Sequence, residues 1–322
     1  MKNKISVVMC TYNGSKYVSQ QIDSIINQTY VVDEIIICDD RSTDNTYDIL
    51  LKYAELDKRI KVFKNLEQLG ANLNFAKAFM LASNEYILPS DQDDIWAKDK
   101  VECLMQIIGD NLLVYSYDNL LFEDKTIKLQ KYCHFNNKYW QLFSSIPGHT
   151  MMFKKELCHE VLKACENSQY YDFMLLYLSV KYNNKVVCYE RPLQTWRRNS
   201  NCLTSDFLGK STVVSNLKLS KWGIVHQVLK DCSEGINYKK EFARVYIPFS
   251  KLKSNGLIIR MICKYMALQK RYSLILAALL FMFYSSSYTM IRQTKGKVNI
   301  RQWLSHKLYS FRYPFYVLYT TK

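Results

Sequence analysis

Three aspartates fall within four positions of the stretch YILPSDQDDIW, residues 86–96. Asp91, Asp93 and Asp94 follow a short apolar run and precede a tryptophan, so they stand at the mouth of a strand, where their mutual repulsion must be offset by a cation. A turn or a helix cap needs one carboxylate. A divalent ion that keeps several waters and takes one or two carboxylates plus substrate phosphates accounts for the surplus, so Mg²⁺ or Mn²⁺ bridging a nucleotide diphosphate is the chemistry that fits. Two more polar clusters follow apolar runs. In CTYNG (10–14), Thr11 and Asn13 offer hydrogen-bonding groups and Gly14 lets the chain turn. In DDRSTD (39–44), Asp39 or Asp40 can accept bonds from a base or ribose. Alone, the first is an ordinary turn and the second a helix cap.

The elements that must position these clusters alternate in type. ISVVM (5–9), EIIIC (34–38), IKVF (60–63) and YIL (86–88) read as buried strands. Between them, Val18, Ile22, Ile25 and Ile26 share one helical face, Leu50, Leu51 and Ala54 mark a second helix capped by Ser42 or Thr43, and a third surrounds Phe75 to Met80. Four strands with three crossovers in ninety residues predict a parallel sheet covered by helices, and ligands bind such a sheet at the carboxyl ends of its strands. All three polar clusters sit at such ends. Beyond them, KDKVECLMQII (98–108) reads as a helix and LLVYSYDN (112–119) as a strand, while 118–150 is irregular and aromatic. TMMFKKELCHEVLKAC (150–165) reads as strand then helix, YDFMLLYLSVKY (171–182) as a helix led by Asp172, and KVVCYERPLQTW (185–196) as a strand stopped by Pro192.

The net charge of +15 is uneven. Residues 1–206 hold 24 Lys and Arg against 26 Asp and Glu, whereas 207–322 hold 20 against 3. This shift places a boundary near 206, between an α/β domain (1–206) and a basic, mainly helical C-terminal region (207–322). That region's most apolar piece, LILAALLFMFY (274–284), is shorter than the ~20 residues a bilayer crossing needs, although extension through Ser285, Ser286 and Ser287 to Ile291 lengthens it. A buried core helix, an interfacial helix and a span are its three readings. Ten cysteines scattered without CxxC or His/Cys clusters suggest neither a disulfide framework nor a structural zinc, and MKNKISVVMCTYNG reads as a first strand, with no signal peptide.

SVVMCTYNG, IIICDDRSTDNT and SDQDDIW together resemble the nucleotide-binding strands and DXD motif of family 2 glycosyltransferases, which share the GT-A fold. The resemblance covers about residues 4–200. It implies a Rossmann-like, mostly parallel sheet, a nucleotide-sugar donor (a dTDP- or UDP-sugar), Mn²⁺ or Mg²⁺, and inversion at the anomeric carbon. Thr11, Tyr12 and Asn13 would line the nucleotide, and one of Asp39 and Asp40 would bond the base edge. Asp91 would face the ribose side, Asp93 would bind the metal with Asp91 beside it, and Asp94 would stabilise the turn into the next helix. The family's base is an aspartate opening a later helix, often preceded by Glu or His; here it is Asp172, preceded by Tyr171. Near a helix N-terminus it is expected to stay ionised and not unusually basic. GHTMMF resembles the segment flanking the acceptor opening, where His149 either bonds a substrate or is satisfied by backbone. LQTWRRNSN matches a loop that closes on the diphosphate, where Arg197 or Arg198 could bind phosphate in bidentate fashion.

Within the family, SDQDDIW with GHTMMF looks most like bacterial rhamnosyltransferases that build surface polysaccharide, O-antigen or capsule, from dTDP-rhamnose. The Gln-x-x-Arg-Trp order of processive synthases is missing, since Gln194-Thr-Trp-Arg-Arg arranges those residues differently. The basic C-terminal region suits the inner face of an anionic plasma membrane, where lipid-linked acceptors sit, and implies a cytoplasmic, peripheral enzyme. No nucleic-acid module accompanies the charge, so no nucleic-acid partner is expected. The rival reading is a catalytically inactive sugar-nucleotide or polysaccharide binding protein on the same fold, which the Tyr171 departure keeps open.

Overall fold

The computed structural model describes residues 3–134, 136–142, 145–167, 170–198, 221–233, 246–247, 249–251, 255–284, 310–312 and 314–315. The chain divides into two compact units, the first Met1–His134 with Ser145–Glu166 and Tyr170–Asn199, the second Phe135–Ser144 with Asn167–Gln169 and Ser200–Lys322. The expected boundary near 206 lies outside the described residues.

The first unit is an α/β layer structure. Strands β1 (Ile5–Thr11), β2 (Glu34–Asp39), β3 (Ile60–Lys64) and β4 (Tyr86–Ser90) are linked by helices α1 (Val18–Ile26), α2 (Thr46–Leu56) and α3 (Ala71–Leu81). They lie parallel in the order β3-β2-β1-β4. The β-branched runs of β1 and β2 are buried on both faces, as a sheet covered by helices demands. Val18, Ile22 and Ile25 of α1 press into the core with Ile5, Val7, Ile35 and Leu88, and Ile26 packs at its edge. In α2, Leu50 points inward while Leu51 is exposed. The helix also starts later than the expected caps: its N-cap is Asn45. Ser42 and Thr43 bond instead to Asp39 and Asn13, because the loop folds back onto the one after β1.

The sheet continues β8-β6-β9-β5 with antiparallel pairings of β4 to β8, β6 to β8 and β5 to β9. These are β5 (Ile95–Trp96), β6 (Leu113–Phe122), β8 (Met151–Lys154) and β9 (Val186–Arg198), with α4 (Lys100–Ile108), α6 (Cys158–Cys165) and α7 (Tyr171–Lys181) packed among them. Two expectations change here. Part of the irregular stretch 118–150 is a hairpin, β6 with the short strand β7 (Ile127–Gln130), whose exposed side chains gave no burial signal. Strand β9 also runs through Pro192 to Arg198. The missing proline N–H is absorbed where the β6–β9 ladder slips register around Tyr117, after which Thr195–Arg198 pair with Asn119–Phe122.

In the second unit, α5 (Lys138–Gln141) and α8 (Lys221–Ser233) accompany a helical hairpin of α9 (Leu257–Leu268) and α10 (Arg271–Tyr284). Gln269, in the left-handed region at φ 50°, closes α9. Leu274, Ala277, Ala278 and Phe281 are buried on one side of α10, while Tyr272, Leu276 and Phe283 stand exposed on the other. Among the described residues no helix is long and apolar enough to cross a membrane. The extension to Ile291 lies outside the described residues.

Candidate active site

The register brings the polar clusters together. Thr11 pairs with Asp39, and Met9 pairs with Ser90, the residue before the aspartates. Three neighbouring parallel strands thus release their loops at one edge, the place where open α/β sheets bind ligands. Thr11 is buried and gives its hydroxyl to Asp39 at 2.9 Å. Asp39 also takes the Ser42 N–H and hydroxyl, so both ends of that bond serve the loops. Asp40 is nearly as buried and accepts from Leu69 N–H, Gly70 N–H and the Asn65 amide, each at 2.8 Å. Tyr12 is different: 45% exposed, its ring is open to stack on a base. Asn13 takes a positive φ of 49°, its side-chain amide oxygen accepting from Thr43 N–H at 2.8 Å.

Gln92, between the aspartates, is the connection that sequence reasoning missed. The Tyr12 N–H donates to Gln92 Oε1 at 2.9 Å, and Gln92 Nε2 donates to the Tyr12 carbonyl at 3.0 Å. An amide side chain there pairs with backbone as a neighbouring strand would. It fills the space beside Gly14, where a Cβ would lie 2.1 Å from Gln92 Oε1.

Behind this edge the aspartates surround a histidine. His149, in the 3-10 turn Gly148–Thr150, puts Nδ1 2.8 Å from Asp91 and 3.5 Å from Asp94, and Nε2 3.2 Å from Asp118. Burial opposes a charge on the ring, but the Asp94, Asp118 and Asp91 carboxylates prevail and hold its pKa well above the ordinary histidine value. The cation that offsets the aspartates is therefore, in part, internal. Asp94 does not bond the turn as expected: it is fully buried, neither oxygen has a hydrogen-bond partner among the described residues, and burial pushes its pKa well up. Asp93 is only half-buried, and burial with the nearby Asp91 charge pushes it up to about 6, opposed by His149 and Arg197. Ligand atoms of Asp91, Asp94 and His149 lie within 4.8 Å of one another, a grouping that could hold a metal ion and does not include Asp93. The Asp94 oxygens, which have His149 as an ion-pair neighbour but accept no hydrogen bond among the described residues, have room in their bonding for a divalent cation as well.

Two supports of this cluster also escaped the sequence reading. Lys100 is fully buried on α4 and donates to the His149 carbonyl at 2.7 Å and to the Gln194 amide oxygen. Burial lowers its pKa to about 7, although Asp118, Asp94 and Asp91 favour its charge. Asp118 is fully buried on β6 and takes the Tyr132 hydroxyl at 2.8 Å. For Asp118 the available signal was an ionisable residue close behind the buried run Leu113–Ser116.

Asp172 is the second residue of α7, one position inside the helix, and accepts the Phe173 N–H at 2.7 Å. The expectation of an ordinary carboxylate is corrected: burial pushes its pKa up to about 6, and the Asp91 charge adds to this. Burial outweighs the helix terminus. Tyr171 faces the core, 4.6 Å from the Phe75 ring, and a Cβ on Gly148 would lie 2.3 Å from its hydroxyl oxygen. Arg197 and Arg198 sit on the end of β9 and not on a loop. Arg197 bonds Gln20 at 2.5 Å and crosses the Tyr17 ring, while Arg198 lies over Trp196.

Residues 6–162 match the model of the family described as glycosyl transferase family 2. An uncharacterized glycosyltransferase of Methanocaldococcus jannaschii is 30% identical over 198 residues, spanning 58% of this chain and 68% of the relative. The chain belongs to glycosyltransferase family 2. A dTDP-rhamnosyl transferase of Shigella flexneri is 32% identical over 50% of this chain and 58% of its own length. A UDP-Glc:alpha-D-GlcNAc-diphosphoundecaprenol beta-1,3-glucosyltransferase of Escherichia coli is 35% identical over 36% and 45%. This family 2 chain thus spans about half the length of these two curated relatives. Among solved structures, a mannosyltransferase from Pyrobaculum calidifontis in complex with GDP-Man and Mn²⁺ superposes with a TM-score of 0.53 at 14% identity, covering 100% of this chain and 89% of that one. At that identity the likeness establishes the GT-A fold.

Proposed function

We propose that this chain transfers a sugar from a nucleoside-diphosphate donor to a hydroxyl of a glycan acceptor, inverting the anomeric carbon, in the assembly of a bacterial surface polysaccharide. The observation that carries this is the convergence of the loops after β1, β2 and β4 on one edge, with Asp172 in the electrostatic reach of Asp91 and His149. Tyr12 stacks on the base, Asn13 lines the nucleotide, and Asp40, which keeps one acceptor position beyond its three bonds, takes the base edge. Arg197, whose charge reaches Asp93, faces the diphosphate.

A divalent ion on the carboxylates of the 91–94 loop, Mn²⁺ or Mg²⁺, would neutralise the charge that builds on the departing diphosphate. Asp172 takes the proton from the attacking hydroxyl, and a carboxyl raised to about 6 is better matched to that task near neutral pH than an unperturbed one. The relatives' names favour a dTDP- or UDP-sugar, dTDP-rhamnose among them, and a lipid-linked acceptor. A membrane-facing second unit agrees with this: residues 255–284 contain Arg260, Lys264, Lys270 and Arg271 and no acidic residue, and carry an exposed apolar stripe.

The test is nucleotide release from UDP- and dTDP-sugars, dTDP-rhamnose included, in the presence of Mn²⁺. One donor should be turned over and EDTA should stop it. A donor that raises the melting temperature without turnover, with any acceptor glycan, would identify a binding protein instead.

A further inference from the structure

Asp91 stands at the donor edge with 37% of its side chain exposed, yet among the described residues its carboxylate makes a single hydrogen bond, with His149 Nδ1 at 2.8 Å. What fixes that carboxylate therefore lies behind the imidazole. His149 Nε2 is 3.2 Å from Asp118 Oδ2, and the same oxygen accepts the Tyr132 hydroxyl at 2.8 Å. We propose that Tyr132 is a positioning residue of the donor site, fixing Asp91 through the chain Tyr132–Asp118–His149–Asp91; this rests on the nucleotide-sugar reading above.

Three observations carry the assignment. The first is that the ring between the two carboxylates has one setting. A charged imidazole donates from both nitrogens, so it cannot turn without losing Asp91 or Asp118. Its edge packs on Trp196 with centroids 4.8 Å apart, and Lys100 anchors its main-chain carbonyl at 2.7 Å. The second is the scarcity of partners for Asp118. It is fully buried, its Oδ1 has no hydrogen-bond partner among the described residues, and Oδ2 carries both bonds. Among those residues Tyr132 is thus the one hydrogen-bond donor to Asp118 besides His149, and its loss would leave a sealed carboxylate to draw on the ring alone. The third is direction. Burial, and after it the Asp118 charge, push the Tyr132 phenol well above the ordinary tyrosine range, so its hydroxyl remains a donor.

The fold explains why Tyr132 reaches this point. Asp118 on β6 pairs with Gln130 on β7, and Tyr132 follows two positions later, within diagonal reach across the ladder. His134, two positions further on, meets the Tyr115 hydroxyl at 3.1 Å and pins the segment to β6. The segment after the hairpin thereby bears on the loop after β4 through three successive hydrogen bonds.

The experiment is a double-variant cycle on the full chain, read by calorimetric titration of UDP and dTDP in the presence of Mn²⁺. Tyr132→Phe keeps the ring and removes the hydroxyl, and should weaken nucleotide binding about 3- to 10-fold. His149→Gln should weaken it at least as much, and Tyr132→Phe added to His149→Gln should cost less than about a further twofold. Tyr115→Phe loosens the same segment without removing a bond to Asp118 and should leave binding unchanged. A second readout needs no nucleotide. In ¹⁵N-histidine spectra, the Nδ1 resonance missing from His149→Gln should shift in Tyr132→Phe, although this nitrogen is on the side of the ring away from Asp118. The same resonance should shift in Asp118→Asn, which weakens the next link while keeping its shape, and stay in place in Tyr115→Phe. Independent weakening by Tyr132→Phe and His149→Gln, equal weakening by Tyr115→Phe, or an unmoved Nδ1 resonance overturns the proposal and leaves the donor reading standing. Failure of wild type to bind either nucleotide overturns both.

Discussion

Burial, more than sequence neighbourhood, sets the chemistry of single residues here. Asp172 would be an unremarkable helix-terminal carboxylate if exposed, yet its surroundings raise it to about 6. Two outcomes follow for Asp172→Asn. Transfer should fall about 10²- to 10⁴-fold with donor affinity retained, as measured by kcat and by nucleotide-sugar titration. In wild type, kcat/KM should decline as pH drops below about 6, where the base is protonated. Stability runs the other way. The folded state holds this proton to a higher pH than the unfolded chain, so its contribution is present at low pH and lost as pH rises through about 6. The Asn variant should therefore be more stable than wild type at pH 7, by about 1–2 kcal/mol after allowing for partial exposure, and no more stable at pH 3, as read by denaturant unfolding at both values.

At the scale of elements, the site depends on loops that hold one another. Gln92 joins the loop after β4 to the loop after β1 by two hydrogen bonds, and Gly14 leaves room for it. Gln92→Ala should cost about 1–2 kcal/mol of donor binding, a KM rise of roughly 5- to 30-fold with a smaller effect on kcat. An unchanged donor KM would show that the loops keep their positions without the bridge. The parallel half of the sheet was legible because ISVVM and EIIIC are continuous buried runs separated by helix-period segments. The hairpin β6–β7 was not, since Ile127–Gln130 are largely exposed and carry no alternation of burial. Pro192 misled for a related reason: a ladder slip that accommodates it depends on the partner strand.

At the scale of the molecule, the charge asymmetry becomes meaningful through the hairpin α9–α10. Tyr272, Leu276 and Phe283 fall within about 40° of one another around the helix, exposed and near Lys270 and Arg271 in a stretch without acidic residues. The chain should sediment with phosphatidylglycerol vesicles, release in high salt, and ignore phosphatidylcholine. Lys270→Glu with Arg271→Glu should weaken binding roughly tenfold or more, at about 1 kcal/mol per charge. Equal binding to both lipids would show that this surface serves another purpose.

The sequence by itself determined the alternating strands and helices, the carboxyl-edge location of Thr11, Asp39, Asp40 and Asp91, and the family, because hydrophobic period and loop motifs are local properties of the chain. Only the tertiary structure decided what surrounds those motifs. Asp118 lies 31 positions from His149 and Lys100 lies 49, so no spacing rule connects them. The three aspartates of SDQDD are alike in sequence and differ in environment: Asp91 open, Asp93 half-buried toward Arg197, Asp94 sealed beside an imidazole. Electrostatics depends on distance in space and on exclusion of water, and both are fixed when β4, β6, β8 and β9 come together.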